Sequence, residues 1–207
     1  MHQPFINNWA SLIRYISIFL PLAVVYSALG YFMRHLFCDI SKIVLENNLY
    51  GKDKERMPTT ELLLWTNKSL GEAYKQRIRD KIDEDFEIRL LSKKAEKADV
   101  DKARREISGA IDPIRQCCRE DNILLQYNIR YGFWRNLFGG NLIALFIVVG
   151  IVLLNKIMLS YIPLYDIIAF VLIILIMLLS VVFMNMAGRG YAHQLFSVYL
   201  NTRVKNV

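Results

Sequence analysis

Residues 131–155 read YGFWRNLFGGNLIALFIVVGIVLLN, and the fold turns on how they are read. From Asn136 to Asn155 the chain runs 20 residues without a charged side chain. A helix rising ~1.5 Å per residue needs about 20 apolar residues to cross the hydrocarbon core of a bilayer, so this run predicts a membrane-spanning helix. Two more charge-free runs are of similar length, Tyr15–Met33 with 19 residues and Ile167–Ala187 with 21. The first holds Ser17, Pro21, Ser27 and Gly30, which membrane helices tolerate better than soluble ones. It is longer than the core of a cleaved signal peptide, and bulky Tyr31 and Phe32 follow Ala28-Leu29-Gly30, so a retained anchor is expected.

Composition agrees with a divided chain. Of the 207 residues 54% are apolar, and mean hydropathy is +0.26, yet 22% are charged. Values of both kinds fit one chain when apolar and charged blocks are kept apart. Residues 34–135 hold 21 of the 26 basic and 18 of the 19 acidic residues. The expected organisation is an N-terminal transmembrane helix within 1–38, a charged domain over 39–135, a membrane hairpin over 136–187 and a basic tail over 188–207. The fold class is a mainly α integral membrane protein. It has three transmembrane helices and a small α or α+β cytoplasmic domain between helices one and two.

Orientation follows from the basic residues beside the spans. A hairpin of spans two and three puts Arg34, Lys42, Arg130, Arg135, Arg189, Arg203 and Lys205 on one side, against Arg14 and Lys156 on the other. The middle domain and the tail are therefore expected in the cytoplasm, and the N-terminus and the loop Lys156–Asp166 outside. Pro163 suits a tight turn in that loop. Cys38, Cys117 and Cys118 would then sit in a reducing compartment and stay free thiols. His35 and Cys38 are one helical turn apart, but two ligands do not make a zinc site.

Within the charged domain, the first helix is expected to run on through CDISKIVLENNLY and stop near Asn47, Asn48 and Gly51. TTELLLWT (59–66) has the length and flanking breakers of a buried strand, with a helical turn as the alternative. Ser69 and Glu72 have capping-box spacing. After them Leu70, Tyr74, Ile78, Ile82 and Phe86 form one helical face, and Lys75, Arg79, Asp83 and Glu87 read as its solvated opposite. FEIRLLS (86–92) alternates like a second strand, which favours an α+β domain over the all-helical alternative. Asp80, Asp83, Glu84 and Glu87 share a helix face, but interleaved Arg77, Arg79, Lys81 and Arg89 make them ion-pair partners rather than metal ligands. Asp99 can cap another helix with Ala103, Ile107, Ile111 and Ile114 on its buried face, and Pro113 is expected to kink or interrupt it. Residues 122–136 look helical and lead straight into span two.

The chain has no Gly-x-Ser-x-Gly, no phosphate-cradling glycine loop and no HExxH, so no cofactor and no enzymatic activity are expected. Arg189 and His193 resemble the Arg-x(4–6)-His signature of HEPN-type ribonucleases at a spacing one residue short. An interfacial anchor explains them better. The basic excess of the domain is small and unclustered, so nucleic acid is not an expected partner. Asn141 and Asn185 fall at similar depth inside the hairpin and are candidate intramembrane polar contacts, within or between subunits.

Two groups of residues carry a resemblance. They are Pro58-Thr59-Thr60 with Leu62–Trp65, and Asn128–Phe133 with Arg135-Asn136-Leu137 and Gly139-Gly140. Together they resemble a group of small bacterial inner-membrane proteins with a helical cytoplasmic domain ahead of a membrane hairpin. The architecture is also similar to transmembrane effectors of anti-phage defence systems. These resemblances imply a non-enzymatic effector or accessory subunit that oligomerises and perturbs the inner membrane when its cytoplasmic domain receives a signal. The alternatives are a membrane-bound HEPN-like ribonuclease and an anchor that recruits a soluble partner. The implied partners are the lipid bilayer, further copies of the chain and a cytoplasmic protein. Pro58, Thr59, Thr60 and Trp65 are a candidate partner surface. Tyr131, Gly132, Phe133, Trp134, Arg135, Asn136, Gly139 and Gly140 are the expected joint between domain and membrane.

Overall fold

The computed structural model describes residues 3–51 and 53–202, with side chains from Ile13 onward except Ile18. Among the described residues eight α-helices succeed one another: α1 (Gln3–Ser41), α2 (Asn47–Tyr50), α3 (Pro58–Leu63), α4 (Glu72–Phe86), α5 (Lys93–Ala98), α6 (Val100–Cys117), α7 (Asn122–Leu159) and α8 (Leu164–Asn201). A π turn, Lys42–Glu46, joins α1 to α2 without a break. Among the described residues three helices are long and apolar enough to cross a membrane: α1 with its continuation to Tyr50, α7 and α8.

α7 and α8 form an antiparallel hairpin. The pairing runs from Asn155 with Asp166 at the turn, through Trp134 stacked on Phe183, to Tyr127 against Gly190. Each helix has 38 residues. At ~1.5 Å per residue that is roughly 57 Å, well beyond the ~30 Å hydrocarbon core. The surplus of both helices lies at the same end, and the short helices gather on it. The tail expected after residue 187 is thus no separate segment, since α8 continues through it to Asn201. Arg203 and Lys205, two of the basic residues that bear on orientation, lie outside the described residues.

The core at that end is built around α8. Ala192, Leu195, Phe196 and Tyr199 of α8 are buried against Leu62 and Leu63 of α3, Ile78 and Ile82 of α4, and the α6 face Ala103, Ile107, Ala110, Ile111 and Ile114. The α6 spacing of three and four keeps those five side chains on one stripe. Asp99 caps α6 as expected, accepting from Lys102 N at 2.9 Å. α6 runs unbroken through Pro113, held on either side by Ile107, Ile111 and Ile114.

Three local expectations are corrected. Among the described residues there is no strand. The Thr59–Leu63 segment is helical because Pro58 stands at the first helical position, where its missing N–H costs nothing. Residues 88–92 have no regular secondary structure, and their apolar pattern arises because Ile88, Leu90 and Leu91 dock on the core. The capping box does not form. α4 starts at Gly71, with no side-chain cap, and Glu72 reaches Lys93 at 2.5 Å instead.

α1 meets the hairpin at one level only. Phe37 and Ser41 lie against Gly139, where an added Cβ would fall on the Phe37 carbonyl and the Ser41 hydroxyl. Outward from there the helices part. Every described side chain from Ile13 to Phe32 is exposed.

Two outcomes test this packing. Gly139→Ala should cost about 1–3 kcal/mol of stability by overpacking, read as a lower thermal midpoint in detergent. Gly150→Ala, with open space around its Cβ, should leave the midpoint unlowered. Burial, and then neighbouring Cys117, push the Cys118 thiol up to about 11. At pH 8 it therefore holds less thiolate than an ordinary cysteine, and iodoacetamide should label it only after unfolding, as read by mass spectrometry.

Candidate functional site

The end of α1, the middle of α7 and the inner part of α8 meet at a buried polar joint. Its centre is Glu46, the last residue of the π turn, with a side chain 1% exposed. One carboxylate oxygen, Oε1, accepts from the Tyr131 hydroxyl at 2.8 Å and from Arg135 Nη1 at 3.2 Å. The other, Oε2, lies 3.8 Å from Lys54 Nζ and accepts no hydrogen bond. Arg135 also donates through Nη2 to Cys38 Sγ at 3.0 Å and through Nε to Asn136 Oδ1 at 3.4 Å. Ser41 Oγ is 2.6 Å from both the Phe37 and the Arg135 carbonyls. One turn beyond Glu46, Tyr50 donates to Asn185 Oδ1 on α8 at 2.8 Å.

The π turn helps to explain this convergence. It inserts one residue per turn and so rotates the helix beyond it by about 100° relative to a regular helix. Leu45, Glu46 and Tyr50 are all buried at or after this turn. Gly51, with φ of 79°, then ends the helix in a conformation that suits glycine. A carboxylate this deep is costly unless paired and hydrogen-bonded, and Arg135 and Tyr131 meet that requirement at Oε1.

The expected joint residues divide by role. Tyr131 and Arg135 hold Glu46, Gly139 and Gly140 lie against Phe37, and Trp134 stacks on Phe183 at 4.6 Å. Phe133 is exposed, and a Cβ added at Gly132 would meet nothing. The two asparagines do not meet. Asn141 donates to Leu137 O in its own helix at 2.7 Å, while Asn185 serves Tyr50. Of the candidate partner surface, Thr59 and Thr60 are buried and Pro58 packs near Gly188, while half-buried Trp65 lies 4.6 Å from the Arg79 guanidinium. Arg189 and His193 are exposed one turn apart on α8. His35 Nδ1 lies 2.9 Å from the Tyr31 carbonyl, and among the described residues no three metal-ligating side chains converge.

Of the face read as solvated on α4, Glu87 is exposed and Asp83 partly so, but Lys75 and Arg79 belong to a second buried charge cluster. Lys75 and Arg79 are 0% and 7% exposed. Lys75 Nζ donates to the Leu64 and Asn67 carbonyls, and Arg79 Nη2 to Leu63 O at 2.9 Å. These carbonyls lie at and just past the end of α3, where a helix leaves its last acceptors without partners. Glu96, 0% exposed, answers Arg79 at 3.2 Å and accepts from Thr66 N at 3.1 Å. Burial pulls Lys75 and Arg79 below their ordinary values, and Glu96 opposes that pull on both.

No known protein family, curated protein or solved structure matches the chain. Neither Glu46 nor Lys75 was legible as a site residue. The signal for Glu46 was the one charged residue inside the run that continues span one, Ile43–Tyr50.

Glu46→Ala strands Arg135 and Tyr131 and should cost about 3 kcal/mol, as breaking a buried pair does. The paired change Glu46→Leu with Arg135→Leu should recover most of that loss in thermal unfolding. Lys75→Met removes a donor to two carbonyls and should cost about 1–3 kcal/mol.

Proposed function

We propose that this chain is a non-enzymatic effector of the bacterial inner membrane that acts by self-association. Its helical domain and C-terminus lie in the cytoplasm, and its N-terminus lies outside. The observation that carries the reading is the state of α1. Its inner end is clamped to α7 through Gly139 and Glu46, while the described side chains of its outer part, from Ile13 to Phe32, are all exposed among the described residues. Ala23, Ser27 and Gly30 repeat at four and three residues along that part, a spacing that lets membrane helices approach closely. The basic residues beside the spans support the orientation. A cytoplasmic protein would bind the helical domain and bias the joint, and α1 would then pack on α1 of further copies and disturb the bilayer.

The test places cysteine at Ser27 in a Cys38→Ser, Cys117→Ser, Cys118→Ser background and oxidises native membranes. A disulfide-linked dimer is expected, lost when Ala23 and Gly30 are both changed to Leu. Induced expression should also lower membrane potential, and the same Leu pair should restore it. A monomer with undisturbed potential at every expression level overturns the proposal. Arg189→Ala and His193→Ala should leave the phenotype unchanged, and loss of it in both would favour the ribonuclease reading instead.

A further inference from the structure

Beside the joint lies a cavity of about 720 Å³ between α1, α7 and the start of α3. Its wall carries four cations, Arg34, Lys54, Arg115 and Arg135, and one carboxylate, Glu46. Glu46 is already engaged by Arg135 at 3.2 Å and faced by Lys54 at 3.8 Å. The positive charge left over is therefore carried chiefly by Arg34 and Arg115. Arg34 is exposed and has no ion pair among the described residues. Arg115 is loosely engaged, in an ion pair with Asp112 Oδ1 at 3.5 Å, 3.5 Å from Thr59 Oγ1 and beside the Tyr191 hydroxyl. Both guanidiniums have donors to spare, in the forked geometry that matches phosphate oxygens.

A second hollow of about 480 Å³ shares Arg34, Phe133 and Asn136 with the first. It continues along Phe37, Leu137 and Gly140, between α1 and α7. The two are thus one groove with a cationic chamber and an apolar extension. Its level is set by the sequence. Arg34 follows the charge-free run of α1, Asn136 opens that of α7, and Gly188 of the chamber wall follows that of α8. The chamber sits where headgroups lie, and the extension sits where acyl chains lie.

We infer that this groove binds an anionic phospholipid, with its headgroup in the chamber that Arg34 and Arg115 line and one acyl chain along Phe37, Leu137 and Gly140. A free phosphate would satisfy the arginines but leave the apolar extension unused, which favours the lipid. The inference needs only that the chain lies in a membrane, and it is independent of any effector activity.

The test is native mass spectrometry of the delipidated full chain in detergent. It is titrated with dioleoyl phosphatidylglycerol, with dioleoyl phosphatidylcholine, and with phosphatidylglycerol in excess inorganic phosphate. Phosphatidylglycerol should be retained preferentially and should survive the phosphate. Arg34→Gln and Arg115→Gln should each weaken it about fivefold, the weight of one basic residue near an anionic lipid. Lys156→Gln, at the far end of α7, should leave it unchanged, and unaltered thermal midpoints establish that the variants are folded. Equal retention of the two lipids overturns the inference, as does the same retention in Arg34→Gln and Arg115→Gln as in the parent chain. Complete displacement by inorganic phosphate assigns the chamber to a soluble phosphate and overturns it equally.

Discussion

Glu46 places a carboxylate at the polar end of a helix long and apolar enough to cross a membrane, almost out of reach of water. An isolated charge there is costly by several kcal/mol, so the surrounding helices must supply its partners. Tyr131 and Arg135 lie one turn apart on α7, and both donate to the same oxygen of Glu46. That demand fixes the rotation of α7 and its height relative to α1. Gly139, one turn further along α7, then faces the backbone of α1 at Phe37. A larger residue there would push the helices apart and lengthen the Glu46–Arg135 pair. The close approach and the ion pair are two parts of one constraint.

The constraint extends to α8 through different chemistry. Tyr50 lies one turn beyond Glu46 and donates to Asn185. Trp134, beside Arg135, stacks on Phe183. α8 then leaves the apolar zone without a break and becomes the axis of the helical domain, where Phe196 and Tyr199 are fully buried. Domain and membrane region therefore share a continuous helix rather than a linker. A force on α4 or α6 reaches α8 through packed side chains, and α8 reaches α1 through Asn185 and Tyr50.

The large features could be read from the residues alone because hydropathy and period 3.6 dictate them. Spans at 136–155 and 167–187, the α6 stripe from Ala103 to Ile114, and the passage of residues 122–136 into span two are all of that kind. TTELLLWT has a strand's composition, but the adjacent Pro58 starts a helix there, a local signal. The other departures arise where tertiary contact overrides local pattern. Lys75 and Arg79 occupy positions a helical wheel assigns to water. They are buried because α3 ends nearby with three carbonyls in need of donors. No periodicity encodes that need, since it comes from a neighbouring element. Glu46 was hidden for a similar reason. Its depth depends on the π turn, and on Arg135, 89 residues away.

The joint also has a lopsided design. Oε1 of Glu46 accepts two short contacts, while Oε2 has only Lys54 at 3.8 Å, on a side chain half exposed. Lys54 lies in the loop between α2 and α3 and has a positive φ of 56°. A lysine in such a loop can move toward Glu46 or away from it at little cost, unlike Arg135, which a long helix holds in place. Lys54 and Glu46 also face the cationic chamber, where an anion would compete for the lysine. Of the three contacts of Glu46, the weakest thus comes from a loop, and the two that hold the base of α1 to α7 come from one helix.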